Sequence, residues 1–576
     1  MLNLSQTALE ILKARYLRPG ETPEELFERV ARGVAQAELL YGPVSKVREW
    51  EEKFHTLMVN LDFLPNSPTL MNAGTELGQL AACFVLPVED SIEDIFDTLS
   101  LMAKIQKTGG GTGFSFSHLR PKGDIVRSTN GKASGPVSFM RVFDCTTDAI
   151  KQGGKRRGAN MGVLSYNHPD VEEFITAKLD KKSFQNFNIS VACEDSFFEK
   201  VKRGGEVELI NPRDGKVWKR VDARKLFDLM ARSAWECGDP GILYIDEINR
   251  HNPTPDVGKI EATNPCGEVP LLPYEECNLG SINLSHFEKN GSVDWERLGE
   301  TVETAVRFLD CVIDVNKYPD ERIERMAKGN RKIGLGVMGW AELLIKLKIP
   351  YNSEEALKLA DRLMAFINRK AFETSVKLAE EKGSFPNIEK SVYRGKKVRN
   401  ATRTSIAPTG TISMIAGTTP SIEPLFAVAY VKRILNGKPA VQIEPLFLKY
   451  AGDVLSNEQL LEVLKTGSIQ NVSGIPDEIK RLFVTALDVP PEWHVKVQAT
   501  FQKHVDNAVS KTVNMKENAT VEDVKSVFLL GYKLKVKGIT IFRQGSKEGV
   551  IEFGLKSFKG ISPKDLIRFQ PCSCQL

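Results

Sequence analysis

The stretch NPCGEVPLLPYEECNLGSIN, residues 264–283, has no helical period and concentrates groups that can do chemistry. Cys266 sits between Pro265 and Gly267, with Asn264 and Glu268 two residues away on either side, so a thiol, an amide and a carboxylate can face one small volume. Proline and glycine fix or free the backbone at set points, and polar groups in such a loop need partners that a bound substrate can supply. An ordinary buried cysteine beside a surface turn has the same local sequence. Taken alone, the segment leaves both readings open.

A second candidate is SIAPTGTIS, residues 405–413, where an apolar strand-like run ends in a hydroxyl-rich turn that opens into a short helical pattern. The amides of Gly410, Thr411 and Ile412 with the hydroxyls of Thr409 and Thr411 suit a phosphate; a plain Ser or Thr helix cap fits the same residues. The run KQGGKRRG, residues 151–158, sets four cations among three glycines and reads as a mobile anion-contacting loop or a solvated turn. Two glycine motifs read as packing. GGGTG at 109–113 lacks the Lys-Ser/Thr ending of a phosphate loop and suits a strand wall without side chains. GLGVMG at 334–339 matches a dinucleotide fingerprint, but helical patterns follow it in place of a second strand and a ribose-binding acid. The seven histidines fall in no ligand spacing, and Cys572 and Cys574 have no second pair to close a zinc site, so no metal site is expected. That C-x-C reads as a dithiol at a terminus whose fraying gives it reach.

The chain that positions these groups has 576 residues, enough for one very large domain or several ordinary ones. A hydrophobic fraction of 41% and a charged fraction of 26% exclude disorder and fibrous repeats. A net charge of +4 over this length does not imply nucleic acid and suits small anionic substrates. There is no apolar run of membrane-spanning length and no signal-peptide block at the start, so no membrane partner and a cytoplasmic location are expected. Nine scattered cysteines fit free or redox-active thiols better than a secreted disulfide framework.

Residues 1–62 read as helices, including a start at Thr22-Pro23, and form a packing module. From 63 the texture becomes short buried strands broken by Gly, Asn and Thr and alternating with helices, which argues for an α/β sheet or barrel of mostly parallel strands over 63–550. Residues 290–400 read as mainly helical, GVMGWAELLIKLK included, and 551–576 as a mobile tail.

Taken together, NSPTLMNAG, LAACFVLPVEDS, GGGTGF, TNPCGE followed by ECNLGSINL, and IAPTGTIS resemble, in this order, the catalytic chain of ribonucleotide reductases over residues 60–545. N-P-C-G-E with a second cysteine eleven residues on resembles the group that uses adenosylcobalamin. The resemblance implies a ten-stranded α/β barrel of two five-stranded parallel halves, with Cys266 on a finger loop through its centre, where burial shields a radical. It implies that Cys266 becomes a thiyl radical and takes the 3′ hydrogen of the ribose, that Glu268 is the general base for the 3′-hydroxyl, and that Asn264 bonds the ribose hydroxyls. Cys83 and Cys277 match the pair that reduces the 2′ carbon and ends as a disulfide, and Cys572 and Cys574 are the candidates to reset it by exchange with a thioredoxin-like donor. The substrate diphosphate falls on Thr409, Gly410, Thr411 and Ile412, with Ser67, Ala82 and Cys83 on the nucleoside side. A deoxynucleotide effector falls on Asp90, Ser91, Arg127 and Lys132 at the interface of a homodimer, and Lys151, Gln152 and Arg156 lie on the loop that carries effector identity to substrate choice.

The radical source is read from what the chain lacks. The diiron-fed version carries two adjacent tyrosines near the end of the barrel, where this chain has KGITIFR at 537–543; the glycyl-radical version needs an R-V-C-G-Y-like motif that does not occur. Adenosylcobalamin is left, and with no D-x-H-x-x-G the cobalt takes no protein ligand. Two alternatives stand beside this reading: a subunit-dependent reductase with a substituted radical relay, and a nucleotide-binding barrel protein without catalysis.

Overall fold

The computed structural model describes residues 2, 4–127, 129–151, 158–433, 439–451 and 455–546. The chain opens with three helices, α1 (Gln6–Arg15), α2 (Pro23–Ala35) and α3 (Val44–Val59). Thr22 starts α2 in a capping box: its hydroxyl accepts from Glu25 N at 3.2 Å while the Glu25 carboxylate accepts from Thr22 N at 2.8 Å. The buried stripe of α2, Leu26, Phe27, Val30, Ala31 and Val34, belongs to one apolar core with two long helices of the second part of the chain, Trp295–Val315 and Glu354–Lys382. Glu38, fully buried after α2, clamps that contact by accepting from Arg307 Nε and Lys382 Nζ, each at 2.8 Å. Burial alone would raise the Glu38 pKa, but those two cations hold it down at about 2.

Ten strands share one hydrogen-bonded sheet: β1 (Phe63–Pro65), β2 (Cys83–Pro87), β3 (Gly111–Ser115), β4 (Asn160–Ser165), β5 (Phe187–Cys193), β6 (Gly241–Tyr244), β7 (Glu276–Asn283), β8 (Ile333–Met338), β9 (Thr512–Met515) and β10 (Gly538–Arg543). Strands β2 to β6 are parallel neighbours in sequence order. β6 then meets β10 antiparallel, β10 lies parallel to β9, and parallel bridges carry the path from Val509 to Ile406 and from Thr404 to Leu335 of β8. β8 is parallel to β7, and β7 returns antiparallel to β2, so the path of pairings closes on itself. β1 hangs on the outside of this ring, antiparallel to β7.

Inside the ring, inward residues of β2, β4, β5, β6 and β7 form a cluster with Ile260, Ala262, Val269, Leu271 and Leu272. These belong to a small hairpin, Ala262–Thr263 paired with Pro270–Leu271, whose tip is residues 264–269. The glycines of 109–113 make room for it. A Cβ at Gly113 would lie 1.7 Å from the Thr263 carbonyl oxygen and one at Gly111 2.9 Å from the Pro265 ring, so the strand wall is bare where the hairpin presses against it.

Two parts differ from the sequence reading. IGLGVM is strand β8 and not the start of a helix; the helical segment begins only at Trp340. Its glycines are tied to tertiary contact, because a Cβ at Gly334 would meet Leu279 at 2.3 Å and one at Gly336 the Ser405 carbonyl at 2.2 Å. Between Ala429 and Leu482 a two-stranded hairpin and three short helices form a satellite with its own apolar cluster, to which the sequence pattern assigned no elements. Among the described residues no helix is long and apolar enough to cross a membrane.

Candidate active site

The tip of the inner hairpin carries Asn264, Cys266 and Glu268. Its turn is closed by Gly267 N donating to Asn264 O at 3.1 Å, with Gly267 at φ +80°, a conformation that favours glycine. The Asn264 carboxamide oxygen accepts from Val269 N at 3.0 Å, and its NH2 donates to Cys83 Sγ at 3.1 Å. Asn188 Nδ2 donates to the Pro265 carbonyl at 2.8 Å, fixing the peptide just before Cys266. The Glu268 carbonyl accepts from Ser405 Oγ at 2.9 Å and from Ala508 N at 2.8 Å, which ties the tip to the opposite arc of the ring. Asn264, Pro265 and Glu268 are buried, but Cys266 is exposed, contrary to the burial the resemblance implied. The reason is local: the cysteine stands at the wall of two cavities, one on each side of the tip.

The first cavity, about 250 Å3, is lined by Cys266, Asn264 and Glu268 of the tip and by Ala82 and Cys83 at the start of β2. Ser67 and the turn Thr409, Gly410, Thr411 and Ile412 line it as well. Thr409 holds the turn at φ +54°, and its hydroxyl accepts from Ser421 N at 2.7 Å. Helix Ile412–Ala416 starts there with Thr411 as its cap residue, and Ser413 N donates to the Thr409 carbonyl at 2.9 Å.

Cys277 of β7 is the direct register partner of Cys83. Opposed residues of an antiparallel pair have Cα atoms about 4.5–5.5 Å apart, within the roughly 4.4–6.8 Å that a disulfide spans. Both thiols are reduced and buried. Complete burial, with the carboxylate of Glu276 beside it, pushes the Cys277 thiol well above its usual pKa. Cys83 lines the cavity, and Cys277 stands opposite it on β7.

The second cavity, about 340 Å3, has a different lining: Met161, Ser190, Leu243 and strand residues Gly538, Ile539, Thr540, Ile541 and Phe542, besides Cys266 and Gly267. Among the described residues its lining has no tyrosine and no histidine. Lys511 on its border is buried and donates to His494 Nδ1 at 2.8 Å, to Thr512 O at 2.9 Å and to the Glu423 carboxylate.

A third cavity, about 810 Å3, is lined by Asp90, Ser91, Arg127 and Lys132 together with Arg120 and Arg213. Arg120 Nε bonds the Asp90 carboxylate at 2.8 Å, and Ser91 caps helix Ile92–Lys107 by accepting from Asp94 N at 3.0 Å. This helix begins at the third cavity and ends just before Gly109–Gly111 at the first, spanning about 24 Å for its 16 residues. Lys151 ends a helix; Gln152, Arg156, Cys572 and Cys574 lie outside the described residues.

Some residues around these cavities were missed by sequence reasoning. Tyr16 at the end of α1 bonds Ser67 Oγ at 2.8 Å, and α1 packs on the helix after the Thr409 turn, so the first helices reach the first cavity. Nothing local to Tyr16 signals this. Ser281 lines the same cavity, and for it a signal existed: Cys277, Leu279 and Ser281 alternate on one face of β7.

A closed strand ring thus surrounds a cysteine-bearing hairpin, and one pair of opposed cysteines, Cys83 and Cys277, stands beside the cavity that Cys266 lines. The chain belongs to the ribonucleotide reductase family: the model of the ribonucleotide reductase barrel domain matches residues 81–398 and 394–542, and that of the all-alpha domain matches residues 2–78. It is 49% identical to the vitamin B12-dependent ribonucleoside-diphosphate reductase of Thermoplasma acidophilum, over 98% of this chain and 82% of that protein. It is 51% identical to the protein of the same name from Mycobacterium tuberculosis, over 96% of this chain and 81% of that one. Among solved structures, the class Id ribonucleotide reductase alpha subunit of Actinobacillus ureae superposes with a TM-score of 0.78 at 24% identity, over 94% of this chain and 97% of that one, a likeness of fold.

Proposed function

We propose that this chain is a vitamin B12-dependent ribonucleoside-diphosphate reductase, converting ribonucleoside diphosphates to 2′-deoxyribonucleoside diphosphates. The observation that carries the reading is the place of Cys266, a shared wall between a cavity lined by Cys83 and a second cavity walled by strand residues. The ring is then the ten-stranded barrel of two five-stranded parallel halves, with the 404–406 segment supplying one of the ten and the hairpin as its finger.

In this reading the nucleotide occupies the first cavity, with its diphosphate on the Thr409–Ile412 turn and its ribose over Cys266. The Cys266 thiyl takes the 3′ hydrogen, Glu268 accepts the 3′-hydroxyl proton, and Asn264 orients the ribose. The 2′ hydroxyl leaves as water, Cys83 and Cys277 give up two hydrogens and close a disulfide, Glu268 returns its proton to the 3′ oxygen, and the 3′ hydrogen returns from Cys266. A small or protein dithiol reopens the disulfide by exchange; for a thioredoxin-like donor, Cys572 and Cys574 are the proposed relay.

The second cavity suits the cofactor. Its size fits a drug-sized fragment, and Ser190, Gly538 and Thr540 are residues that would hold part of the cofactor there. When bound, adenosylcobalamin supplies the one-electron oxidant for Cys266. A deoxynucleotide effector in the third cavity, at a homodimer interface, acts on substrate choice through the loop holding Lys151, Gln152 and Arg156 and through helix Ile92–Lys107.

The test is turnover of the purified chain with adenosylcobalamin, a ribonucleoside diphosphate and a small dithiol, with no other protein present. Deoxynucleotide should form. No product under these conditions, with product on adding a second subunit, would favour the subunit-dependent alternative instead.

A further inference from the structure

Most hydroxyl and amide groups around the first cavity already have partners. Ser67 is engaged by Tyr16, Thr409 by Ser421 N, and Asn66 by Leu80 O and Leu279 N. Ser281 differs: it is 1% exposed, and its hydroxyl has no hydrogen-bond partner among the described residues. It shares the inward face of β7 with Cys277 and Leu279 and lines the cavity with Thr411 and Ile412. A buried hydroxyl without a partner is destabilising, and a ligand in the cavity is the available source of one.

Its position along the strand says which part of the ligand. Cys277, level with Cys83, marks where the 2′ carbon is reduced. Ser281 is four residues farther on, about 13 Å along the strand, away from that level and in the same cavity lining as Thr411 and Ile412 of the turn. Its register partner on β1 is Leu64, two residues before Asn66, which lines the same cavity.

We infer that Ser281 is a further substrate-positioning residue, whose hydroxyl donates to the terminal phosphate of a nucleoside diphosphate beside the Thr409–Ile412 turn. The inference rests on the proposed function and adds to it a strand-borne contact that distinguishes diphosphate from monophosphate. A hydroxyl fixed on a sheet keeps its aim, whereas the turn can adjust, so the strand sets how far along the cavity the nucleotide sits.

The test compares affinities of a ribonucleoside diphosphate and the matching monophosphate for the cobalamin-loaded enzyme, by titration calorimetry, in wild type, Ser281→Ala and Ser281→Thr. Losing a hydrogen bond to a charged group should weaken diphosphate binding about tenfold in the alanine variant. Monophosphate affinity should change less than about twofold by the same reasoning, and threonine, which keeps the hydroxyl, should recover most of the loss. If the alanine variant does not fold, Ser281→Cys, of similar size and a weak donor, should show the same selective loss. Unchanged diphosphate affinity, equal weakening of both nucleotides, or a threonine variant no better than alanine would overturn the role of Ser281. Failure of the wild type to bind any nucleoside diphosphate would overturn the proposed function, and this inference with it.

Discussion

The two cavities that meet at Cys266 are built from different materials. The first gathers side chains with chemistry of their own, thiols, a carboxylate, amides and hydroxyls, from the N-terminal segment, the inner hairpin, β2, β7 and the turn at 409. The second is walled mostly by strand residues, apolar Met161, Ile242, Leu243, Ile539 and Ile541 beside polar Asn188, Ser190, Thr512 and Thr540, with Asp239 and Lys511 at its edge and glycines at 238, 267 and 538. The difference teaches that a site which makes and breaks bonds to a substrate is written in residue types. A site that accepts a large preformed group is written in shape, where the protein supplies space and orientation and the group brings its own reactivity.

If that contrast is right, the two sides should fail differently when damaged. The largest effect short of removing Cys266 itself belongs to the thiol pair. Cys83→Ser or Cys277→Ser should end multiple turnover while hydrogen abstraction persists, and substrate should break down with release of its base, read by chromatography of the free base. Normal multiple turnover in either variant would remove the pair from the mechanism.

On the other side, Thr540→Trp would fill part of the second cavity, where Thr540 is an exposed lining residue. Cobalamin affinity, followed by absorbance on gel filtration, should fall by at least about tenfold, the scale of 1.4 kcal/mol or more, with nucleotide binding kept. Loss of nucleotide binding with cobalamin retained would reverse the assignment of the two cavities. A smaller effect is predicted for Tyr16→Phe, which removes the bond to Ser67. At about 1 kcal/mol for a neutral hydrogen bond, KM for the nucleotide should rise about fivefold, and steady-state kinetics with no change in KM would confine α1 to packing.

The smallest prediction concerns stability and leaves both cavities alone. Glu276 is fully buried one residue before Cys277, and burial, aided by the charge of Glu275, pushes its carboxyl up to about 8. One of its oxygens has no hydrogen-bond partner among the described residues. A folded-state pKa raised above the ordinary value of 4.5 means that its contribution to stability is complete below 4.5 and is lost as pH rises through about 8. Ser or Ala would leave a void, so the informative change is Glu276→Gln, which should flatten the fall of melting temperature across that window. An unchanged pH profile would show that Glu276 is ionised in the fold.

These contrasts also explain what could be read before the structure was known. NPCGE and IAPTGTIS stood out because thiols, amides and hydroxyls in turns have few structural reasons to cluster, whereas Cys83 and Cys277 were marked by the family resemblance; the fold brings NPCGE, the 409 turn and Cys83 to one cavity and sets Cys277 opposite Cys83. The helix start at Thr22 was legible because capping is a local contract between neighbours. β8 was misread because its glycines answer to Leu279 and Ser405, residues distant in sequence, and a glycine-rich apolar run has no period of its own. Tyr16 and Asn188 were invisible for the same reason: each matters through one hydrogen bond to a partner far along the chain, Ser67 and the Pro265 carbonyl. The second cavity left almost no trace, since isoleucines and glycines on strands look alike whether they face a core or a cofactor.

The central claim is that Cys266 joins the two cavities, and it is tested most directly by Cys266→Ser assayed in parallel for nucleotide binding, cobalamin binding and turnover. The account predicts that both ligands bind with affinities close to wild type and that no deoxynucleotide forms, because only the atom that carries the radical has changed. Measurable turnover by this variant would contradict the claim.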